Sequence, residues 1–273
     1  MLTKLILILF LCLSLDSCQV NKTKKLVLTS STEFLSLAEG LSFGFREQSG
    51  LILIVKGSLG QEKKILKNRL SDFLITSNQS VCQDQEIKCL EVGIDQLALI
   101  VNAKNPLETI DQDELVKIFS GQTKTWEKLR EKAKTKNQSF DFKQKIQVLN
   151  RGNSSSLRIS FDKYLLGNKH TFNPSSIIVN SNNETKTAVS RLENSIGYVS
   201  IGSLNKDRNQ SKTVKQLKVY SKKSRKLIVP PRHKIKVAYL NSNKKKNFRK
   251  FISFLDLSQL SKELIKQHGY LVL

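Results

Sequence analysis

Short apolar runs alternate along this chain with longer stretches in which apolar residues recur at three- and four-residue steps. The first pattern is that of a strand buried on both faces, the second that of a helix with one buried face. Leu26-Val27-Leu28 is a buried strand, and Phe34, Leu37, Ala38, Leu41 and Phe45 form a helical stripe behind it. Ser31 or Thr32 suits the N-cap of that helix, and Ser49-Gly50 suits its stop. Residues 51–55 make a second strand. Gly57-Ser58-Leu59-Gly60 then opens a helix carrying Ile65, Leu66 and Leu70, and Phe73-Leu74-Ile75 is a third strand. Strand, helix, strand, helix, strand predicts a parallel sheet with helices on its faces, the α/β class.

A second unit follows. Residues 97–101 read as a strand, Asn105-Pro106 as its break, and 109–119 as a capped helix stopped by Ser120-Gly121. Residues 131–143 are polar and read as a loop or a frayed helix. The run 146–149 is a strand that enters Asn150-Arg151-Gly152-Asn153-Ser154-Ser155-Ser156, then a helix with Leu157, Phe161, Tyr164 and Leu165. A strand at 177–179, a helix near 186–192 and a strand at 196–199 complete it. At the C-terminal end, Ile235-Lys236-Val237-Ala238-Tyr239 is strand-like, and Phe248, Phe251, Ile252, Phe254 and Leu255 give an amphipathic stretch. A length of 273 residues suffices for two compact units of this kind.

The first residues stand outside that pattern. Lys4 precedes an apolar run, 5–15, interrupted only by Cys12 and Ser14. It is too short to span a bilayer and has the length of a secretory signal core. Leu15-Asp16-Ser17-Cys18 resembles the lipobox of bacterial lipoproteins, with Asp16 a departure from the usual small or apolar residue. On this resemblance 1–17 is a signal peptide, Cys18 carries the lipid, and 18–25 is a tether. A plain membrane anchor or an unlipidated signal are the alternatives. Cys82 and Cys89 remain; outside the cytoplasm they favour a disulfide over two free thiols. They flank residues 83–88, which read as a surface loop, and no His lies near enough in sequence to suggest zinc.

Charge narrows the partners. Lys and Arg number 46 against 23 acids, a formal net charge of +23, which favours small anions, acidic lipid or nucleic acid. Residues 205–273 alone hold 19 Lys or Arg against 3 acids. The patterned apolar residues in that segment make it a folded part with a basic solvated face. Contact with acidic lipid near the anchor is the functional alternative.

The chemistry sits where strand ends meet Ser-, Thr- and Gly-rich turns and helix starts, at 29–33, 57–60 and 151–158. The first N–H groups of a helix lack internal partners and the helix dipole is positive there, so such starts facing one cleft form an anion trap. Ser and Thr hydroxyls add donors, and Arg151 or Arg158 adds charge. Each turn alone is ordinary capping; the three together carry the argument. His170, His233 and His268 stand in no nucleophile or metal context, no Gly-x-x-x-x-Gly-Lys run occurs, and Asp111, Asp113 and Glu114 merely open a helix. The expectation is a binding protein, not an enzyme, without cofactor or metal.

Several segments now resemble one family in order and spacing. They are Ser31-Thr32 with Leu37-Ala38-Glu39; Gly57-Ser58-Leu59-Gly60; Leu99-Ile100-Val101-Asn102 with Lys104-Asn105-Pro106; and Ile118-Phe119-Ser120-Gly121 with Trp126. Asn150-Arg151 with Ser155 and Arg158, Ile196-Gly197-Tyr198-Val199-Ser200, and His268-Gly269-Tyr270 continue it. Together they resemble the phosphate-binding proteins of bacterial phosphate ABC transporters. The resemblance implies a two-lobed periplasmic-binding-protein fold, each lobe a central β-sheet flanked by helices, with the ligand cleft between the lobes. Lobe one is expected at 26–96 plus 204–273 and lobe two at 97–203.

Carried over by position, the phosphate ligands are Thr32, Glu33 through its backbone N–H, Ser58, Arg151, Ser155 and Ser156 through its backbone N–H. After the third strand the family usually has an Asp, which accepts a proton from hydrogen phosphate. Thr76-Ser77-Asn78 stands there, and Ser77, expected as a ligand, or the Asn78 oxygen is left to accept that proton. Leu59 and Leu157 also replace smaller or hydroxylated residues. Implied partners are inorganic phosphate, ABC transporter permease subunits and the membrane through an N-terminal lipid, for an exported monomer without nucleic acid. The alternatives are a binder of another oxyanion such as sulfate or molybdate, or a basic surface lipoprotein whose ligand site has degenerated.

Overall fold

The computed structural model describes residues 25–58, 60–132, 140–153, 155–167, 173–206, 213–230 and 232–273. The signal, Cys18 and all but the last residue of the tether fall outside that set, as do most of 131–143, and Leu59, Ser154 and His170. Among the described residues no helix is long and apolar enough to cross a membrane.

The first unit runs β1 (Leu26–Ser31), a 3-10 turn (Thr32–Phe34), α1 (Leu35–Ser49), β2 (Leu53–Ser58), α2 (Glu62–Lys67), β3 (Phe73–Thr76), a 3-10 turn (Gln79–Gln83) and β4 (Ile87–Asp95). The second contains β5 (Leu97–Asn102), β6 (Thr109–Asp111), α3 (Gln112–Phe119), β7 (Gln147–Asn150), α4 (Ser156–Tyr164), β8 (Ile177–Ile178), α5 (Asn182–Arg191), β9 (Ser195–Ser200) and α6 (Ile201–Lys206). Three short strands follow, β10 (Val214–Gln216), β11 (Lys218–Ser221) and β12 (Lys226–Ile228). The chain ends with β13 (His233–Leu240), α7 (Phe248–Leu257), α8 (Gln259–Gln267) and β14 (Leu271–Val272).

Two sheets organise this α/β molecule. The first has the order β14-β4-β13-β3-β1-β2, and the second β10-β5-β9-β7-β8; β12-β11-β6 is a small third sheet. In the first, β1 pairs in parallel with β2 and β3, as the alternation of strands and helices requires, while β13 runs antiparallel to β3 and β4. Its central strands β1 and β3 are buried on both faces because helices cover both. Phe73 and Ile75 enter the core under α1, α7 and α8, while Leu74 points the other way to Leu66, Val81 and Ile87. The second sheet divides likewise: Leu97, Leu99 and Val101 pack with α3 and α4, and Ala98 and Ile100 with α5.

The lobe boundary differs from the sequence expectation. Residues 204–273 do not all join the first unit: β10 pairs with β5 and β11 with β6, so 214–228 belongs with the second sheet. Val214, Leu217 and Val219 decide this by entering the second unit's cores, although the Lys-rich positions around them resemble the basic stretch that follows. The chain therefore crosses at 95–97 and again between β12 and β13. The crossings are tied together, since the Gln96 side-chain amide donates to the Pro230 carbonyl and the Gly202 N–H donates to Asp95.

Other local readings also change. Residues 109–111 are a strand; Asp111 then caps α3 by accepting from the Asp113 N–H at 3.0 Å. Ser31 and Thr32 cap no helix, because the Ser31 hydroxyl donates to the Ile75 carbonyl instead. Cys82 and Cys89 form a disulfide with Cα atoms 5.9 Å apart, tying a 3-10 turn to β4, which already includes Ile87 and Lys88 of the expected loop.

Phe251 is fully buried, with its ring centroid 5.1 Å from that of Phe45 and 4.8 Å from that of Phe73. Phe251→Ala is expected to lower unfolding stability by about 3–5 kcal/mol. Urea unfolding followed by far-UV dichroism measures it.

Candidate functional site

Parallel strands deliver their carboxyl ends to one edge of a sheet, and the loops leaving them form a crevice there. In this chain β1, β2, β7 and β8 all end at the seam between the units. Their exits enclose a cavity of about 210 Å³ lined by Ser31, Thr32, Glu33, Ser58, Gly60, Glu62, Arg151, Gly152, Ser155, Ser156, Val179 and Asn180.

Six of the seven expected ligand positions are thus gathered in one place: Thr32, Glu33, Ser58, Arg151, Ser155 and Ser156. Ser77 is not among them. β3 ends at Thr76, whose hydroxyl turns towards Glu62 and accepts the Asn78 N–H, and Asn78 caps the following 3-10 turn by accepting from the Ser80 N–H. These local bonds carry Ser77 into a neighbouring groove with Lys163, Arg232 and Lys236. Arg158 is also turned away: its Nε donates to both Asp162 oxygens, at 2.8 and 2.9 Å, in a buried pair.

Arg151 dominates the cavity. Only 2% of its surface is exposed. Its backbone N–H donates to Asn150 Oδ1 at 2.9 Å and to the Tyr198 hydroxyl at 3.1 Å, while that hydroxyl donates to Asn150 Oδ1 at 2.6 Å. Tyr198 is held in turn by its ring stacked on Phe161, centroids 4.0 Å apart. The guanidinium reaches the Val179 carbonyl through Nη1 at 3.5 Å, but its Nε and Nη2 meet no acceptor among the described residues. Burial lowers the Arg151 pKa, and the Glu33 carboxylate acts in the opposite direction. A buried guanidinium with open donors is unstable by several kcal/mol unless an anion reaches it.

The remaining walls supply shorter-range donors and two acids. Ser155 caps α4, its Oγ accepting the Arg158 N–H, so the start of α4 faces the cavity beside Arg151. The Ser58 hydroxyl donates to the Gly60 carbonyl at 2.7 Å, which holds that turn closed. Glu33, buried, sends its carboxylate across the seam to accept from the Ser156 hydroxyl. Its backbone carbonyl accepts from Asn182 Nδ2 at 3.2 Å and from the Tyr270 hydroxyl at 3.4 Å.

Glu62 went unnoticed in the sequence, where an acid at a helix start is unremarkable. Here it is 8% exposed and accepts from the Thr76 hydroxyl at 2.8 Å. Desolvation raises its pKa from the ordinary 4.5 to about 7, partly countered by the Thr76 hydrogen bond and reinforced by the Glu33 charge. Ser31, Gly60, Gly152, Val179 and Asn180, none of them an expected ligand, also line the cavity.

The shift of Glu62 has a defined sign. Between pH 4.5 and about 7 the folded chain retains a proton that the unfolded chain has lost, so this group makes stability fall as pH rises through that window. Glu62→Gln removes the effect. The variant is expected to gain on the order of 1–3 kcal/mol over the parent at about pH 8, and little at about pH 4. Urea unfolding of both proteins at the two pH values measures it; an equal difference at both would contradict the assignment.

Known proteins share this architecture. The Bacillus subtilis (strain 168) phosphate-binding protein PstS is 26% identical over 185 residues, covering 66% of this chain and 56% of that protein, so the match spans little more than half of the relative. A Vibrio cholerae ABC-type phosphate transport receptor superposes with a TM-score of 0.63 at 23% identity, covering 91% of this chain and 100% of the other. A putative phosphate ABC transporter substrate-binding protein from Clostridium perfringens, with bound phosphate, gives 0.69 at 19% identity over 92% of this chain and 100% of that one. The regulatory domain of OxyR from Pseudomonas aeruginosa gives 0.57 at 11% identity, covering 85% and 96%, so the fold alone does not fix a function. A family model described as "PBP superfamily domain" matches residues 27–250, and this chain belongs to that superfamily.

Proposed function

We propose that this chain is an exported solute-binding protein that holds inorganic phosphate between its lobes and delivers it to the permease subunits of an ABC transporter. The observation that carries the reading is the buried Arg151, whose Nε and Nη2 have no acceptor among the described residues and which lines the cavity beside the start of α4. A guanidinium, hydroxyls and the amides of a helix start are the groups that recognise a tetrahedral oxyanion. The names of the Bacillus, Vibrio and Clostridium proteins favour phosphate among such anions.

The energetics are adequate. Micromolar affinity requires about 8 kcal/mol, and charge-assisted hydrogen bonds contribute about 1.5–3 kcal/mol each. Arg151, Thr32, Ser58, Ser155 and the N–H groups of Glu33 and Ser156 suffice without Ser77. The lipobox-like Cys18 would keep the protein at the outer face of the membrane, near the permease. The basic C-terminal residues would then lie close to acidic headgroups.

Isothermal titration of the mature protein with phosphate, sulfate and molybdate tests the reading. Phosphate is expected to bind in a one-to-one complex, and Arg151→Ala to weaken it by at least about 30-fold, the low end for truncating one partner of a buried charge pair. Binding of a polyanion that is steeply salt-dependent and indifferent to Arg151→Ala would instead mark a basic adhesive surface.

A further inference from the structure

The cavity contains an anion of its own. The Glu33 carboxylate belongs to the first unit, yet it accepts from the hydroxyl of Ser156, the first residue of α4 in the second. It is also the foremost charge acting on Arg151. The start of the nine-residue helix α4 and the buried guanidinium of Arg151 form the anion site, and Glu33 holds the hydroxyl of the first residue of that helix without pairing directly with Arg151. Its backbone is fixed from both sides, by Tyr270 of the first unit and Asn182 of the second. The side chain bridges the seam to Ser156 alone among the described residues.

We propose that Glu33 is a resident competitor: its carboxylate holds the lobes together in the absence of guest and must be displaced from Ser156 and the neighbourhood of Arg151 when an oxyanion enters. This rests on the reading of the cavity as an oxyanion site. It makes Glu33 a specificity-determining residue. A tethered group acts at a high effective concentration, commonly in the millimolar range. A free monocarboxylate offers the same two oxygens and the same single charge, so it gains nothing by exchange. A tetrahedral oxyanion brings more acceptor oxygens and, when doubly charged, more charge, and so prevails. The internal carboxylate therefore screens out small carboxylic acids and admits phosphate-like guests.

The test uses the mature chain, Glu33→Ala and Glu33→Gln, the second of which keeps a hydrogen-bond acceptor but removes the charge. Small-angle scattering without any oxyanion reads lobe separation; Glu33→Ala is expected to have the larger radius of gyration. Titration calorimetry with inorganic phosphate and with sodium acetate reads competition. Both variants are expected to bind phosphate about tenfold more tightly than the parent, and Glu33→Ala to acquire acetate binding that the parent lacks. Phosphate affinity that falls or stays level in both variants would overturn the proposal, the fall marking Glu33 as a ligand of the guest. If the parent and both variants give no heat with phosphate, the phosphate reading fails, and the scattering result still decides whether Glu33 bridges the lobes.

Discussion

A guanidinium buried at the seam between two sheets is the constraint around which this molecule is arranged. Arg151 lines the cavity, is nearly inaccessible, and two of its nitrogens have no acceptor among the described residues. Burying a charge in that way is costly, and chains retain such groups where another charge completes them. The support around Arg151 is correspondingly rigid. β7 carries it to the seam, Asn150 and Tyr198 fix its backbone, and Phe161 and Phe119 pack behind Tyr198. The position of the guanidinium is thus set by the core of the second unit, while the first unit supplies the opposite wall.

That opposite wall is acidic, which separates this cavity from a simple positive pocket. Glu33 and Glu62 both line it, and the charge of one raises the pKa of the other. Burial chiefly, and the Glu33 charge in addition, raise the Glu62 pKa to about 7. The cleft therefore sets one buried cation opposite two acids. The two crossings between the units lie side by side, joined by the hydrogen bond from Gln96 to the Pro230 carbonyl.

Much of this was legible in the amino-acid sequence because apolar period and burial coincide. The runs at Leu26, Phe73 and Ile196 are strands covered on both faces, and the stripe from Leu37 to Phe45 is a helix on one of them. The three Ser-, Thr- and Gly-rich turns at 29–33, 57–60 and 151–158 do meet at one cavity, as their shared pattern suggests. What escaped was decided by tertiary contacts. Val214, Leu217 and Val219 are scattered among lysines, and only pairing with β5 and β6 assigns them to the second unit. Ser77 is expected because it stands where the resembling family usually has an Asp, but Thr76 and Asn78 use their local hydrogen bonds to turn it aside. Glu62 shows how a buried acid can be invisible: its helix position reads as dipole-favourable placement, and only folding reveals the desolvation.

The central claim is that the open donors of Arg151 receive a phosphate oxyanion. Side-chain 1H–15N spectra of the arginines, with Arg151 assigned through Arg151→Lys, observe those donors directly. The account predicts that one equivalent of inorganic phosphate moves the Arg151 Nε–H resonance to saturation while that of Arg158, already paired with Asp162, stays in place. An Arg151 resonance that is unmoved by excess phosphate would contradict it.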